Sequence, residues 1–486
     1  MGWERKRGKL HELNRLLRGA TDTTFCAIGG KLPPDIRFVL TLDSDTKLPR
    51  DAARRLVGKL AHSLNQAKYD LQAGRVVEGY SVLQPRVTPS LPVGHYGSLF
   101  QRIFSSARGI DPYVFAVSDV YQDVFGEGSF AGKGIYDIDI FEAALADKIP
   151  ENAMLSHDLF EGVFARAALV TDIEVVEEYP ERYAVAAARQ HRWARGDWQL
   201  LPWMLGRRPN SKIPPLGLWK MADNLRRSPT PTATLGGLLL GWLFLPAELA
   251  ATWTAFIVLT GVVPPLLPAL SGAIPKRLPL TVASRIRSSL GDFLHAFVLA
   301  GANLVFLGHQ AGLMADAVGR TLYRLAASRR NLLGWTTAAQ AESSHTPSVA
   351  GNYQVMSASL AAGVAAVAIA VLRADGIWFI AAPFAAAWFA APAAAFWISR
   401  SPKLEDELES SPEDRKTLRL VARRTWRFFE TFVTPAENCL LYTSDAADDL
   451  LCVDLGGRRI IKKKKSHHDN KYRELQANQT TPHNLV

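Results

Sequence analysis

Two stretches in the first part of the chain show the helical spacing of apolar residues, one within residues 3–18 and one over residues 50–67. Their leucines are Leu10, Leu13, Leu17, Leu56, Leu60 and Leu64. Residues 76–84 alternate between apolar and polar side chains as a strand does, and Pro85 is expected to end that strand. Helices that alternate with strands predict a layered α/β domain.

Long apolar runs fill the second part of the chain. Between Ala233 and Ile274 the only charged side chain is Glu248, and residues 353–372 and 376–398 carry none. A membrane span needs about 20 mostly apolar residues. The pattern therefore predicts four spans, at residues 233–252, 253–274, 353–372 and 376–398. A further stretch near residues 291–325 is apolar but contains ionisable groups, which favours an interfacial or re-entrant helix.

Basic residues cluster beside these runs and predict that the flanking ends face the cytoplasm. The clusters are Lys276, Arg277, Arg285 and Arg287, followed by Arg320, Arg324, Arg329 and Arg330. They offer a simple reason for the net charge of +10, and the chain has no recognised nucleic-acid reader motif, so no nucleic-acid partner is expected. The three cysteines, Cys26, Cys439 and Cys452, form no metal-binding pattern.

Two carboxylates stand at the end of a short apolar run. Asp43 and Asp45 follow residues 38–40, and an Asp-x-Asp pair at the end of a strand can hold Mg²⁺ or Mn²⁺ beside substrate phosphates. A solvated turn is the alternative, because the pattern is common.

Three further stretches carry candidate chemistry. Asp158 follows Ser and His before an apolar helix, so it is either a helix cap or a general base. Arg192 and Trp193 suit a diphosphate and a stacked sugar, although a Trp-rich basic helix also suits a membrane interface. The glycine-rich residues 125–137, with Gly126, Gly128 and Ser129, form either a structural loop or an acceptor-sugar loop.

Taken in this order and followed by apolar spans, these motifs resemble the membrane-embedded, family-2-like inverting glycosyltransferases. The closer resemblance is to the cyclic β-1,2-glucan synthases. It rests on residues 1–9, 126–130, 192–199 and 328–333, and it extends over residues 1–438.

The resemblance implies a GT-A-like catalytic domain with a Rossmann-like mixed sheet over residues 1–220, followed by an α-helical transmembrane region over residues 221–400. A cytoplasmic helical linker would occupy residues 401–438. Residues 439–486 are expected to be a disordered, non-native tail. The chain would then be a fragment, lacking N-terminal strands and a downstream phosphorylase-like domain.

The resemblance also implies an activity, the metal-dependent, inverting transfer of glucose from UDP-glucose to a growing β-1,2-glucan. The site would lie at the cytoplasmic face of a bacterial inner membrane, in a multi-pass protein surrounded by lipid. Asp43 and Asp45 would bind the metal and UDP, and Asp158 would be the base. The remaining implied binding residues are Lys9, Asn14, Arg192, Trp193 and Gln190, the last of which stands one position away from the family's glutamine.

Two alternatives remain open from the sequence. One is a different processive polysaccharide synthase of cellulose or hyaluronan type, because the motifs define neither the sugar nor the linkage. The other is a membrane scaffold without catalytic activity.

Overall fold

The computed structural model describes residues 4–25, 34–90, 97–105, 120–208, 212–273, 282–334, 348–373, 375–400 and 411–432. The chain divides into two units, Met1–Pro402 and Lys403–Val486. In the second unit one helix, Pro412–Phe432, falls within the predicted linker. The tail predicted over residues 439–486 lies outside the described residues.

The first unit contains a five-stranded mixed sheet. Its strands are β1 (Phe38–Thr41), β2 (Thr46–Lys47), β5 (Val82–Pro89), β6 (Gly134–Asp137) and β7 (Ala167–Glu177), while β3 (Lys68–Asp70) and β4 (Arg75–Glu78) form a separate pair. The order in the large sheet is β1-β6-β5-β7-β2, with β5 parallel to β7 and the other neighbours antiparallel. This mixed sheet confirms the predicted GT-A-like fold class.

Nine described helices accompany the sheet in the α/β domain. They are α1 (Arg5–Leu17), α2 (Ala52–Leu60), α3 (Leu99–Phe104), α4 (Val120–Phe125), α5 (Ile138–Leu145), α6 (Asp158–Phe164), α7 (Tyr183–Trp198), α8 (Leu201–Met204) and α9 (Pro215–Arg227). Leu56 and Leu60 of α2 are buried in one cluster with Ile135 and Ile173 of the sheet. A larger core forms around α5, α6 and α8, with Phe160 and Trp203 in it.

The second predicted helix ends earlier than its leucine spacing indicates. Leu64 lies beyond the end of α2 in a short 3₁₀ turn, Ser63–Asn65, and is 84% exposed. The ring of His62 accepts a hydrogen bond from the Leu64 N–H group, which favours this turn over a further helical turn.

The prediction of one strand over residues 76–84 was wrong in its bounds. These residues are divided between β4 and β5, with a turn between the two strands. Gly79 makes the turn with a φ of 62°, and a Cβ there would lie 1.9 Å from the carbonyl oxygen of Gln66. Pro85 lies inside β5 instead of ending it, at a shift of register between Pro85 and Arg86. A residue without an N–H group is tolerated at such an irregularity.

The membrane region contains six described helices. They are α10 (Thr230–Phe244), α11 (Ala247–Ala273), α12 (Val282–Tyr323), α13 (Val349–Val355), α14 (Ser357–Leu372) and α15 (Trp378–Ile398). By length and apolarity, three stretches could cross a membrane, at Ala247–Leu267, Ser289–Ser328 and Trp378–Ile398. A fourth is possible if α13 and α14, bent by 72°, count as one span. Three apolar helices after a mixed sheet agree with the predicted helical membrane region.

Two details differ from the sequence prediction. The first apolar run turns at Leu245 and Pro246, earlier than the predicted division between residues 252 and 253. The stretch near residues 291–325 belongs to α12, a continuous helix of 42 residues, where the sequence favoured an interfacial or re-entrant helix. Asp292 and His295 did not shorten it, because a helix satisfies its own backbone and tolerates isolated polar side chains.

The membrane helices contact one another through hydrogen bonds of polar side chains and through close packing at glycine. Trp242 donates to the Thr254 hydroxyl at 2.8 Å, and Ser359 donates to the carbonyl of Trp388 at 2.9 Å. Gly363 allows Phe389 to approach, since a Cβ there would lie 2.9 Å from that ring. Such contacts are typical of helices that pack within a bilayer.

The two ends of α15 differ in their surroundings. Beyond one end, the Ser399 hydroxyl accepts a hydrogen bond from the Tyr183 N–H group of the α/β domain, at 3.0 Å. At the other end, Arg373 donates to the carbonyls of Leu243 and Leu245 at 2.5 and 2.9 Å. Arg373 and the turn at residues 245–246 therefore lie together, at the end away from the α/β domain.

Candidate functional site

A cavity of about 1030 Å³ opens beside the ends of β1 and β2. It is lined by Asp43, Asp45, Asp158, Arg192 and Trp193. These residues come from three distant parts of the sequence, and the fold brings them to one space. A second cavity of about 510 Å³ shares Asp43 with the first and is lined by α1 and the end of β1.

Asp43 lies between two lysines. Lys6 of α1 pairs with its Oδ1 at 2.5 Å, and Lys133 pairs with its Oδ2 at 3.0 Å. Burial alone would raise the pKa of Asp43, but the charges of Lys133 and Lys6 outweigh burial and lower the pKa to about 2. Asp43 is therefore ionised at any physiological pH.

Asp45 has a different environment. Its Oδ1 is buried and has no hydrogen-bond partner among the described residues. A buried, unpaired carboxylate oxygen is costly, and a cation would satisfy it. Asp45 therefore fits the predicted metal ligand well, whereas Asp43 could bind the same ion only by giving up part of its pairing with the lysines.

Asp158 begins α6 and does not cap it, since no side-chain cap bond is present at this helix end. Its Oδ1 is also buried without a hydrogen-bond partner among the described residues. Gly132 packs directly on the carboxylate, and a Cβ at Gly132 would lie 2.5 Å from Oδ1. Lys6 donates to the Gly132 carbonyl at 2.6 Å and so connects the surroundings of Asp158 with Asp43.

His157 and Glu161 form a buried ion pair behind Asp158. The His157 Nδ1 atom lies 2.8 Å from Glu161 Oε1 and 3.5 Å from Asp158 Oδ1. Burial would lower the pKa of His157, but the charges of Glu161 and Asp158 prevail and raise it to about 9. The ligand atoms of these three residues lie within 4.8 Å of one another, and a cation bound there would have to displace the proton that the raised pKa places on His157. The trio is better described as an ion-pair cluster.

One face of α7 lines the large cavity. Its lining residues are Val185, Ala188, Arg189, Arg192 and Trp193, a spacing of three and four that defines a helix face. Gln190 is exposed and does not line the cavity, because it lies off this face. The position three before Arg192 is Arg189, whose guanidinium lies 4.8 Å from the centre of the Trp193 ring.

A chain of buried charges links α7 to Asp43. Arg189 pairs with Glu177, which is 2% exposed, and Glu177 pairs with Lys133 at 3.0 Å. Lys133 in turn pairs with Asp43. These ion pairs fix the end of β7, the glycine-rich stretch and the end of β1 against one another.

The two residues predicted on α1 lie in different environments. Lys9 is exposed and lines the smaller cavity together with Asp43. Asn14 is fully buried, donates to Glu142 at 2.6 Å and accepts from the Tyr136 hydroxyl at 2.9 Å. The structure therefore places Asn14 in the interior, where it ties α1 to α5 and β6.

Gly126, Gly128 and Ser129 line neither cavity. Gly128 packs against β7, where a Cβ would lie 2.6 Å from the Leu169 nitrogen. The Tyr80 hydroxyl donates to the Gly126 carbonyl at 2.9 Å, and the buried Ser129 hydroxyl has no described partner. This half of the glycine-rich stretch thus has the contacts of a structural loop, the alternative left open from the sequence.

Sequence reasoning missed Arg5, Lys6 and Lys133. Arg5 and Lys6 line both cavities. Burial lowers the pKa of Arg5, and the nearby charge of Arg192 lowers it further. Two guanidinium groups held near each other beside a cavity favour an anion between them. The basic run at residues 5–9 was the available signal in the sequence.

A relative was found when the chain was compared with known proteins. No protein-family model matches the chain. Over 440 residues, which is 90% of this chain, it is 50% identical to the cyclic beta-(1,2)-glucan synthase NdvB of Rhizobium meliloti (strain 1021). The chain spans about 16% of that protein's length. The resemblance inferred from the motifs is confirmed: this chain is similar, over nearly all of its length, to one segment of a cyclic β-(1,2)-glucan synthase.

Proposed function

We propose that this chain carries the glycosyltransferase site of a β-glucan synthase and transfers glucose from UDP-glucose to a growing β-1,2-glucan with inversion. The observation that carries the proposal is the single cavity lined by Asp43, Asp45, Asp158, Arg192 and Trp193. The relative's name, a cyclic β-(1,2)-glucan synthase, supports the product class.

Asp158 is the proposed general base. The acceptor hydroxyl oxygen forms a bond to C1 of the donor glucose, its proton moves to Asp158, and the C1–O bond to UDP breaks with its electrons leaving on UDP. A single displacement of this kind inverts C1. Asp158 lines the cavity and its side chain is 28% exposed, which supports this role because part of the carboxylate can be reached by an acceptor hydroxyl.

The departing diphosphate needs positive charge. Arg192, Arg5 and Lys6 line the cavity and can donate to phosphate oxygens. Trp193 offers a ring face on which a sugar can stack. The guanidinium of Arg189 lies 4.8 Å from the centre of the same ring.

Asp43 and Asp45 would hold Mg²⁺ or Mn²⁺, which when bound supplies charge to the leaving diphosphate. The orphaned Asp45 Oδ1 supports this assignment. The pKa of Asp43, near 2, keeps the second carboxylate ionised for the same purpose.

The membrane helices support a location at a lipid bilayer, proposed to be the bacterial inner membrane with the α/β domain on the cytoplasmic side. The arginines at residues 320, 324, 329 and 330 support that orientation, since Lys and Arg favour the cytoplasmic flank.

The test is incorporation of label from radioactive UDP-glucose into glucan by membranes that contain this chain. Asp158→Asn should lower incorporation about 10²- to 10⁴-fold, the usual contribution of a general base. Asp172→Asn is the matched control, because Asp172 is an exposed carboxylate on β7 that pairs with Arg55 and lines no part of the cavity.

Equal incorporation by the wild type and Asp158→Asn would reject the base assignment. Incorporation by neither would reject transfer by this chain and favour the scaffold alternative. Linkage analysis of the labelled product then distinguishes β-1,2-glucan from a product of cellulose or hyaluronan type.

A further inference from the structure

Two separate segments meet on the C-terminal half of α7. The first, called here the base loop, is residues 154–158, which line the large cavity and end at Asp158. The second is residues 329–334, which follow α12 and its terminal π-helical turn, Arg324–Ser328. Leu333 of this 329–334 segment lines the same cavity. The loop that ends at the proposed base and the segment that follows a candidate membrane span thus pack against the same part of α7.

Gln199 bonds to both segments. Its Oε1 accepts from the Leu155 N–H group at 2.7 Å, and its Nε2 donates to the Leu332 carbonyl at 2.9 Å. The residue is only 1% exposed. A primary amide accepts through its oxygen and donates through its nitrogen, so the one side chain of Gln199 can make both bonds.

Neighbouring residues of α7 strengthen each half of this contact. Arg195, which is 4% exposed, donates to the carbonyls of Gly334 and Leu332 at 2.7 and 3.2 Å. Gly196 lets the base loop lie against the helix, because a Cβ there would be 2.4 Å from the Ser156 Cβ. Leu332 thereby receives hydrogen bonds from two buried side chains, that of Arg195 in α7 and that of Gln199 directly after the helix.

The 329–334 segment is shaped to present these carbonyls. Arg329 and Asn331 have φ values of 48° and 56°, in the left-handed region that costs energy for residues other than glycine. The Asn331 carbonyl accepts from Arg324 at 2.7 Å, which connects the segment back to the end of α12.

We propose that Gln199 is a positioning residue that couples the 329–334 segment, and through it α12, to the base loop. A shift of α12 pulls on Leu332, and Gln199 transmits that shift to Leu155, three residues before Asp158. Only the predicted effect on catalysis rests on the proposed function. The hydrogen bonds of Gln199 to the two segments do not depend on it.

The test is hydrogen exchange, measured by mass spectrometry on the whole chain in lipid nanodiscs. Gln199→Met removes both bonds with little change of volume and should speed exchange in the base loop and in the 329–334 segment at least about fivefold, as expected for loss of one hydrogen bond. Arg195→Met touches only the 329–334 segment, yet should also speed exchange in the base loop.

A double-mutant cycle makes the coupling quantitative. In Arg195→Met/Gln199→Met the base loop should exchange no faster than in Gln199→Met alone. Gln199→Glu is a second variant that keeps the acceptor for Leu155 but cannot donate to Leu332. It should loosen the 329–334 segment and leave the base loop protected. Ser81→Ala, which removes another buried bond to a carbonyl, is the control and should change neither segment.

Exchange in the base loop that is unaffected by Arg195→Met, or effects of the two substitutions that simply add, would overturn the coupling. A second readout concerns catalysis. Gln199→Met should lower kcat for glucose transfer at least about tenfold with donor KM within about threefold, because the base is displaced while donor contacts stay. Should the chain transfer no glucose at all, the proposed function fails but the exchange data still decide the coupling.

Discussion

Charge pairing at single residues decides the chemistry of the cavity. Lys6 and Lys133 hold Asp43 ionised, Asp45 Oδ1 is buried without a described hydrogen-bond partner, and Asp158 Oδ1 lies 3.5 Å from the His157 Nδ1 atom. The three carboxylates of one cavity thus have different surroundings, and the roles proposed for them differ accordingly.

The stability of the protein should depend on the protonation of His157. Its pKa in the folded protein, about 9, lies above the ordinary 6.5 because the charges of Glu161 and Asp158 outweigh burial. A raised pKa stabilises the fold fully below about pH 6.5, and this stabilisation is lost as the pH rises through 9. Unfolding free energies measured from pH 6 to 10 should show wild type losing its advantage over His157→Gln by up to about 1.4 kcal/mol per pH unit. A difference between the two proteins that stays constant over this range contradicts the ion-pair cluster.

Among single residues, the sequence predicted those that belong to a recognisable motif. It missed residues that lie far from Asp43 in the sequence and meet it only in the folded protein. Asp43, Asp45, Asp158, Arg192 and Trp193 were all found and all line the cavity. Lys6 and Lys133 were not found, because nothing in a single sequence shows that residues 37 and 90 positions from Asp43 pair with it. Gln190 and Asn14 were nominated from the family resemblance, and neither lines the cavity, since Gln190 is exposed off the lining face of its helix and Asn14 is buried in the interior.

Among the elements, the glycine-rich stretch between α4 and β6 has two halves with different contacts. Its first half packs against β7, while Gly132 and Lys133 reach the cavity side. The sequence indicated that close approaches occur here, but the partner of each glycine depends on tertiary packing.

Gly132→Ala should displace Asp158. The residue has a φ of 78°, and its Cβ would lie 2.5 Å from the carboxylate, so both backbone strain and a clash follow. We expect a loss of about 1–3 kcal/mol in stability and at least a tenfold loss in glucose transfer per folded molecule. Unfolding and initial-rate measurements on the same preparation check both.

Gly19→Ala is the matched control for this substitution. Gly19 also has a positive φ, 90°, but nothing lies within 4 Å of its Cβ position. It should lose stability by strain alone and keep its transfer rate. If the two variants keep equal rates, Gly132 does not position the base.

Over the whole molecule, the α/β domain and the membrane helices are joined through α7 and α12. The pattern of apolar residues predicted that the α/β domain comes first and the membrane helices follow. It also predicted that the first long apolar run forms a pair of helices, which are α10 and α11. The length of α12 and the division of the first apolar run between residues 252 and 253 were not predicted correctly, because a helix boundary depends on packing as well as on the count of apolar residues.

The arrangement predicts opposite membrane sides for the α/β domain and the turn at residues 245–246. With Cys26, Cys439 and Cys452 changed to serine, single cysteines at Leu64, which is 84% exposed, and at the exposed Pro246 provide the two reporters. A maleimide that cannot cross membranes should label Pro246→Cys in intact cells, and Leu64→Cys only after the cells are opened. Labelling of both in intact cells would place the two on the same side and contradict the proposed topology.

The central claim is that one cavity binds the nucleotide sugar and also holds the base. Equilibrium binding of UDP-glucose with Mn²⁺ to the purified chain, its Asp45→Asn variant and its Asp158→Asn variant tests it most directly. Asp45→Asn should bind at least about tenfold more weakly, because a cation ligand is lost, while Asp158→Asn should bind within about threefold of wild type. Equal binding by wild type and Asp45→Asn, or binding by none of the three proteins, would contradict the claim.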